Sequence, residues 1–331
     1  MINHQELANI PTDKLIESYP FLETFLDGIP IPISSQTIHQ WFDSKSPNYL
    51  EEHTLNEKNT IDNLAVYITN MLSFLGENKN QVDSITILPG TDKNGNKENF
   101  DKLCFKRGDI ISIVGPTGSG KSRLLADIEW IAQGDTPTGR QILINNEIPD
   151  MKKRFSPSDK LVAQLSQNMN FVMDLSVQDF LELHAESRLI NNAQTKIAKI
   201  INSANQLAGE SFNPQTAITS LSGGQSRALM IADTAYLSRS PIVLIDEIEN
   251  AGIDRQKALD LLLSEEKIVL IATHDPVLAL SAQKRLIIAK GAIIEVIESS
   301  PEEREILSEI QAMDDKVQNL RNKLRNGKKL N

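Results

Sequence analysis

The run Gly115-Pro116-Thr117-Gly118-Ser119-Gly120-Lys121-Ser122 constrains this chain more than any other segment. It follows the apolar, β-branched run Ile110 to Val114 and precedes Leu124, Leu125 and Ile128 at helical spacing. That strand–loop–helix setting is the one a phosphate-binding loop requires. Glycines let the backbone curl so that successive N–H groups converge on phosphate oxygens. The N-terminus of the following helix adds the positive end of its dipole. In that setting Lys121 reaches the β and γ phosphates of a nucleotide, and the Ser122 hydroxyl is a ligand for Mg²⁺.

Strands and helices alternate around this loop. Ile110 to Val114, Gln141 to Ile144, Ile242 to Ile245, Ile268 to Ala272 and Arg285 to Ala289 are short, apolar and rich in β-formers, whereas Ile85 to Leu88 reads as a short strand flanked by linker. Continuous apolar strands separated by helices predict a mainly parallel sheet buried on both faces. Residues 175 to 240 read as almost wholly helical. Ahead of this part, residues 1–80 read as a small all-helical domain. Ile16, Phe21, Leu22, Phe25 and Leu26 cluster before Gly28, Pro30 and Pro32, which stop a helix. Ser34-Ser35 before Thr37 to Phe42 reads as a capped turn, and Leu64, Ile68, Met71, Leu72 and Leu75 mark a helix over Asp62 to Leu75. Residues 78 to 83 and 91 to 99 are polar and read as linker. From Pro301 to Asn326, Ile306, Ile310, Met313, Val317, Leu320 and Leu324 recur at steps of four and three. That seam of about three heptads fits a coiled coil or an amphipathic helix packed on its own domain. The expected boundaries are 1–80, 81–298 and 299–331.

Composition narrows the partners. A net charge of −10 over 331 residues supplies no bulk attraction for DNA, RNA or an anionic membrane, so no nucleic-acid partner is expected. Cys104 is the single cysteine, which excludes an intrachain disulfide, and its apolar neighbours Leu103 and Phe105 predict a buried, inert thiol. His4, His39 and His53 are scattered among turns and form no metal-ligand pattern. The N-terminus lacks a signal-peptide pattern, and no apolar window is long enough to span a bilayer. The expected location is the cytoplasm, with any membrane association, at the inner face, made through a partner.

Further along stands Leu221-Ser222-Gly223-Gly224-Gln225, ahead of Arg227, Leu229 and Ile231 on a helix. By this pentapeptide the chain resembles the ATP-binding cassette (ABC) ATPases, whose signature it matches letter for letter. The remaining family elements follow in order over residues 108 to about 290, a little over half the chain. Ile242 to Glu247 resembles the Walker B strand, which implies Asp246 as a Mg²⁺ ligand and Glu247 as the general base for the attacking water. Ala272-Thr273-His274-Asp275 resembles the switch-histidine segment, implying that His274 contacts the γ-phosphate. Gln167 stands where the family's Q-loop glutamine senses Mg²⁺, Gln164 being the second choice. Asp254 resembles the D-loop aspartate. The resemblance implies an α/β fold: a P-loop core sheet with an antiparallel β-subdomain and a helical subdomain bearing the signature. Here the small all-helical domain precedes it and the C-terminal helix follows.

The sequence also departs from the family. Pro89 to Glu98 has no aromatic to stack on adenine, and Phe100 is the nearest one. Ile248 replaces the usual proline after Glu247, the link from Glu247 to Asp254 is longer than usual, and the stretch from Asp254 to His274 is shorter. Arg227 falls one place early. The family's mechanism implies MgATP held between the P-loop of one subunit and the signature of another, in a homodimer or with a related subunit. Two roles follow. One is a soluble machine that remodels or activates a protein partner, favoured by the extra helical segments and divergent motifs. The other is a transporter's nucleotide-binding subunit docked on separately encoded membrane proteins.

Overall fold

The computed structural model describes residues 7–74, 82–150, 154, 160–166, 171–188, 190, 192–246, 252–325, 327 and 329. Glu247, Gln167, His4, Leu75, Asn326 and the stretch 248–251 lie outside the described residues, as do residues 78 to 81 of the expected linker. The chain divides into two compact units, Met1–Asn80 and Gln81–Asn331.

In the first unit the helices are α1 (Thr12–Ser18), α2 (Leu22–Asp27), α3 (Ile38–Asp43), α4 (Pro47–Glu52) and α5 (Glu57–Phe74). Helix α5 turns Ile61, Leu64, Ala65 and Ile68 onto Leu15, Leu22, Leu26, Ile38 and Trp41, which form one core. The cap of α3 is Thr37 rather than Ser34 or Ser35. Its hydroxyl accepts from Gln40 N–H at 3.1 Å while the Gln40 side chain accepts from Thr37 N–H, a reciprocal capping box. Buried Thr12 ties α1 to the Pro32–Ser34 turn, donating to carbonyls at 2.9 and 3.0 Å.

The second unit is built on a six-stranded sheet in the order β5-β6-β7-β3-β8-β9. Strands β5 (Val162–Leu165), β6 (Ile242–Asp246), β7 (Ile268–Ala272), β3 (Ile110–Val114) and β8 (Lys284–Ala289) run parallel, and β9 (Ala292–Glu298) closes the edge antiparallel. Alternation explains the unbroken apolar runs. Ile111, Ile113, Leu244, Leu270 and Ala272 face one core, shared with helix α6 (Lys121–Glu129). Val243, Ile245, Val269 and Ile271 face another, shared with α7 (Val177–Glu186), α8 (Ala193–Leu207), α9 (Gly223–Tyr236) and α10 (Arg255–Ser264). Burying each Val, Leu or Ile among them contributes about 1.5–3 kcal/mol, so both faces of the sheet carry apolar residues.

A smaller antiparallel sheet, β2 (Leu103–Lys106), β1 (Ser84–Leu88) and β4 (Gln141–Ile144) in the order β2-β1-β4, packs Ile85, Ile87, Phe105 and Ile142 onto the first core. Phe105 is buried, but period-2 alternation turns Cys104 to the opposite face, where it is only half-buried. The expectation of a buried thiol is corrected accordingly. Residues 91–97 are not linker either: Thr91 bridges Lys97, and Lys93 N–H donates to Lys290 O at 2.9 Å. Helices α11 (Pro276–Ser281) and α12 (Pro301–Arg325) complete the unit.

Candidate nucleotide site

Parallel strands that end together bring their following loops to one edge of the sheet. In register, Ile113 lies opposite Ala272, and Asp246 opposite Ala272 on the other side. The loop that begins at Gly115, the carboxylate of Asp246 and the segment Thr273–Asp275 therefore share one edge. The bond from Thr273 N–H to Ile113 O, 3.1 Å, extends this pairing one step beyond the strands.

The loop itself is an open cradle lined by backbone. Gly120 caps α6 with φ +112°, and a Cβ there would stand 2.7 Å from Gly291 Cα. A Cβ on Gly115 would stand 2.4 Å from Ile288 O. Side chains at either position would push the loop off the strands. Lys121 is buried, and its ammonium donates back across the loop to Gly115 O at 2.8 Å. The Ser119 hydroxyl oxygen is buried without a hydrogen-bond partner among the described residues. A backbone cradle closed by its own lysine, with an orphaned hydroxyl inside, fits an anionic phosphate chain.

The loop is buttressed from behind. Lys290 and Gly291, φ +51° and +85°, form the two-residue turn of the β8–β9 hairpin. Gly291 N–H donates to Ser119 O at 2.6 Å, so this turn holds the floor of the cradle. Beneath it lies a fully buried ionic cluster. The Arg140 guanidinium donates to Glu98 (Nε, 3.1 Å), Asp127 (2.8 Å) and Gly291 O (2.8 Å). Burial opposes its charge, but the hydrogen bonds and charges of Glu98 and Asp127 prevail and raise its pKa. Glu98 also accepts from Gly90 N–H and Ile293 N–H at 2.7 and 2.6 Å. The loop after β1, helix α6 and the β8–β9 hairpin are thus locked to one another.

The segment Leu221–Gln225 opens helix α9. Ser222 is the N-cap: its Oγ accepts from Gln225 N–H at 3.3 Å, and the Gln225 side chain accepts from Ser222 N–H at 2.9 Å. The Gly223 and Gly224 N–H groups stand in the first turn, where a helix supplies no internal acceptors. The Gln225 side chain also donates to Glu210 O at 3.2 Å.

The family model described as ABC transporter matches residues 99–250. An uncharacterised ABC transporter ATP-binding protein of Methanocaldococcus jannaschii is 49% identical over 250 residues, 76% of this chain and 95% of that protein. The chain belongs to the ATP-binding cassette family.

Within this ABC ATPase family, the thiamine import ATP-binding protein ThiQ of Aliivibrio fischeri is 33% identical over 172 residues, 52% of this chain and 66% of ThiQ. Among solved structures, cbiO1 of Clostridium perfringens, part of the ABC transporter complex cbiONQ, aligns at a TM-score of 0.51 with 21% identity. That alignment covers 70% of this chain and 94% of cbiO1, and it agrees in fold.

Several residues around this candidate site were not legible in the sequence. Arg255, directly after Asp254, forms ion pairs with Asp275 and with Asp314 of α12. Asp275 caps α11 by accepting from Val277 and Leu278 N–H at 2.8 and 3.1 Å, and its own N–H donates to Thr273 Oγ1 at 3.0 Å. Asp254 caps α10, accepting from Lys257 N–H at 3.1 Å. His274 and Asp254 are exposed, as is Ser122 beside the cradle. Gln164 lies within β5 with its amide against the Glu129 carboxylate, so it is engaged away from the strand ends. Phe100 is half-buried against the core between the two sheets.

Proposed function

We propose that this chain is the nucleotide-binding subunit of an ABC transporter, binding and hydrolysing MgATP between two subunits and docking on separate membrane proteins. The observation that carries it is the 49% identity, over 76% of this chain and 95% of the relative, to the M. jannaschii protein named as an ABC transporter ATP-binding protein. The import ATPase ThiQ points the same way. These relatives favour the transporter role over the soluble remodelling role to which the extra helical segments had pointed. Among the described residues no helix is long and apolar enough to cross a membrane, which suits a subunit that reaches the bilayer through a partner. Exposed Val172, Met173 and Leu183, ahead of and along α7, offer an apolar surface for such a partner.

In this reading Gly115 to Ser122 wraps the phosphates, and Lys121 exchanges its bond to Gly115 O for the β and γ oxygens. Pro116 and Thr117 shape the outer arm of the loop. Ser122, Asp246 and Gln167 would hold Mg²⁺, which supplies charge neutralisation on the phosphates. Glu247 accepts a proton from the attacking water, and His274 contacts the γ-phosphate. Leu221 to Gln225 of the second subunit closes the site with the N–H groups of Gly223 and Gly224, and Asp254 lies at the same interface. ATP then joins the subunits and hydrolysis releases them.

The direct test is affinity purification of the tagged full chain from detergent-solubilised membranes. A multi-span membrane protein recovered in stoichiometric amount supports the transporter role. Recovery of soluble partners alone, with none in the membrane fraction, contradicts it.

A further inference from the structure

Helix α12 is anchored to its own unit by one stripe and leaves the adjacent stripe open. Glu303 pairs with Arg285 and Asp314 with Arg255, and between them Leu307, Ile310 and Gln311 are half-buried. The neighbouring stripe of Ile306, Met313, Val317, Leu320 and Leu324 is 44% to 64% exposed. These side chains complete, with Ile310, an unbroken alternation of four- and three-residue steps over roughly 27 Å of helix. Solvated helices do not need such a seam, and an apolar stripe of this length calls for a cover.

The charges along α12 say which cover fits. Its first half carries Glu302, Glu305 and Glu309, whereas Lys316 and Lys323 stand in its second half. With Ile310 and Val317 at heptad position a, Glu309, Lys316 and Lys323 are the g positions, on the flank turned away from Asp314. A parallel, in-register pair would set Glu309 against Asp314 of the second copy twice, like against like each time. An antiparallel pair instead sets Ile306 against Leu324, Ile310 against Leu320 and Met313 against Val317. It brings Glu309 beside Lys323 twice, once on each side of the two-fold axis. Lys316 and, on the other flank, Asp314 each meet their own copy near the axis; solvent screens the exposed lysines, and Arg255 offsets each Asp314 charge.

We infer that α12 is a self-association element, pairing antiparallel with α12 of a second copy of this chain. The contact is isologous, so one stripe serves both subunits and the assembly closes at two. It needs no nucleotide. It therefore holds two subunits near each other between rounds of ATP binding and raises the effective concentration for joining their sites.

The test is sedimentation velocity of the full chain without nucleotide, from about 1 to 100 µM, where a seam this short should give a micromolar Kd. The wild-type chain is expected to pass from monomer to dimer across that range, and Val317→Glu with Leu320→Glu to stay monomeric throughout. Glu309→Lys and Lys323→Glu should each weaken the dimer by several-fold, and the two together should return it to within about threefold of wild type. Unchanged thermal melting and ATP binding confirm that each variant is folded. A wild-type chain that is monomeric at every concentration overturns the inference, including one whose stripe instead holds a different protein. So does a dimer indifferent to the Glu substitutions, and a double charge swap without recovery overturns the antiparallel register.

Discussion

Arg255 forms an ion pair with Asp275, which joins the residue following Asp254 to the residue following His274. The same guanidinium also engages Asp314 of α12. Its planar fork serves two carboxylates at once, which a lysine ammonium does not reproduce with the same geometry. Two segments assigned to the nucleotide interface are thus held by one side chain. Arg255→Ala should lower kcat for ATP hydrolysis by roughly ten- to a hundredfold while KM changes little, because His274 is displaced and the phosphate cradle is not. Arg255→Lys should recover only part of that loss. Steady-state rates over an ATP titration check both; full activity in Arg255→Ala would remove Arg255 from the account.

The buried cluster of Arg140, Glu98 and Asp127 makes a prediction about stability. Removing one member leaves charges uncompensated in the core, which costs about 3–5 kcal/mol. Arg140→Ala should lower the stability of the Gln81–Asn331 unit by that amount in urea unfolding. Because Arg140 also holds Gly291 O at 2.8 Å, ATP binding should weaken as well, through the β8–β9 turn under Ser119.

Lys267 gives a pH signature. It is buried, donates to Ser238 O and Ser240 O at 2.7 and 3.0 Å, and burial lowers its pKa from 10.5 to about 8. Between those values the unfolded chain binds the proton and the folded chain does not, so stability rises with pH through that window. Below pH 8 the cost of the buried charge is constant, about 3 kcal/mol. The difference in unfolding free energy between wild type and Lys267→Met, measured from pH 7.5 to 10.5, should shift by up to that amount in favour of wild type. A flat difference would contradict a depressed pKa.

How much was legible in the sequence follows from which interactions are local. The phosphate loop and the strands Ile110–Val114, Ile242–Asp246 and Ile268–Ala272 announce themselves because burial on both faces demands unbroken apolar runs. Strands β2, β5 and β9 did not. Leu103–Lys106 and Val162–Leu165 are four residues each and mix polar with apolar, and Ala292–Glu298 lies at an edge with Ile294 and Glu295 exposed. The Arg140–Glu98 pair spans 42 positions, so no local pattern encodes it. Nor does spacing reveal that Arg255 meets Asp275 and Asp314. Residues 91–99 look like linker because their polarity is satisfied inside the fold, by Asp92 capping its own turn and Glu98 serving Arg140.

The central claim is a site shared between two subunits, and mixing two inactive variants tests it most directly. Lys121→Ala removes the phosphate lysine, and Ser222→Arg blocks the signature. In a shared site, a mixed dimer keeps one intact combination, the loop from the Ser222→Arg chain with the signature from the Lys121→Ala chain. Each variant alone should be inactive, and an equimolar mixture should recover about a quarter of the wild-type rate, since random pairing makes half the dimers mixed, each with one working site of two. A mixture no more active than the sum of its parts would contradict a site built from both subunits.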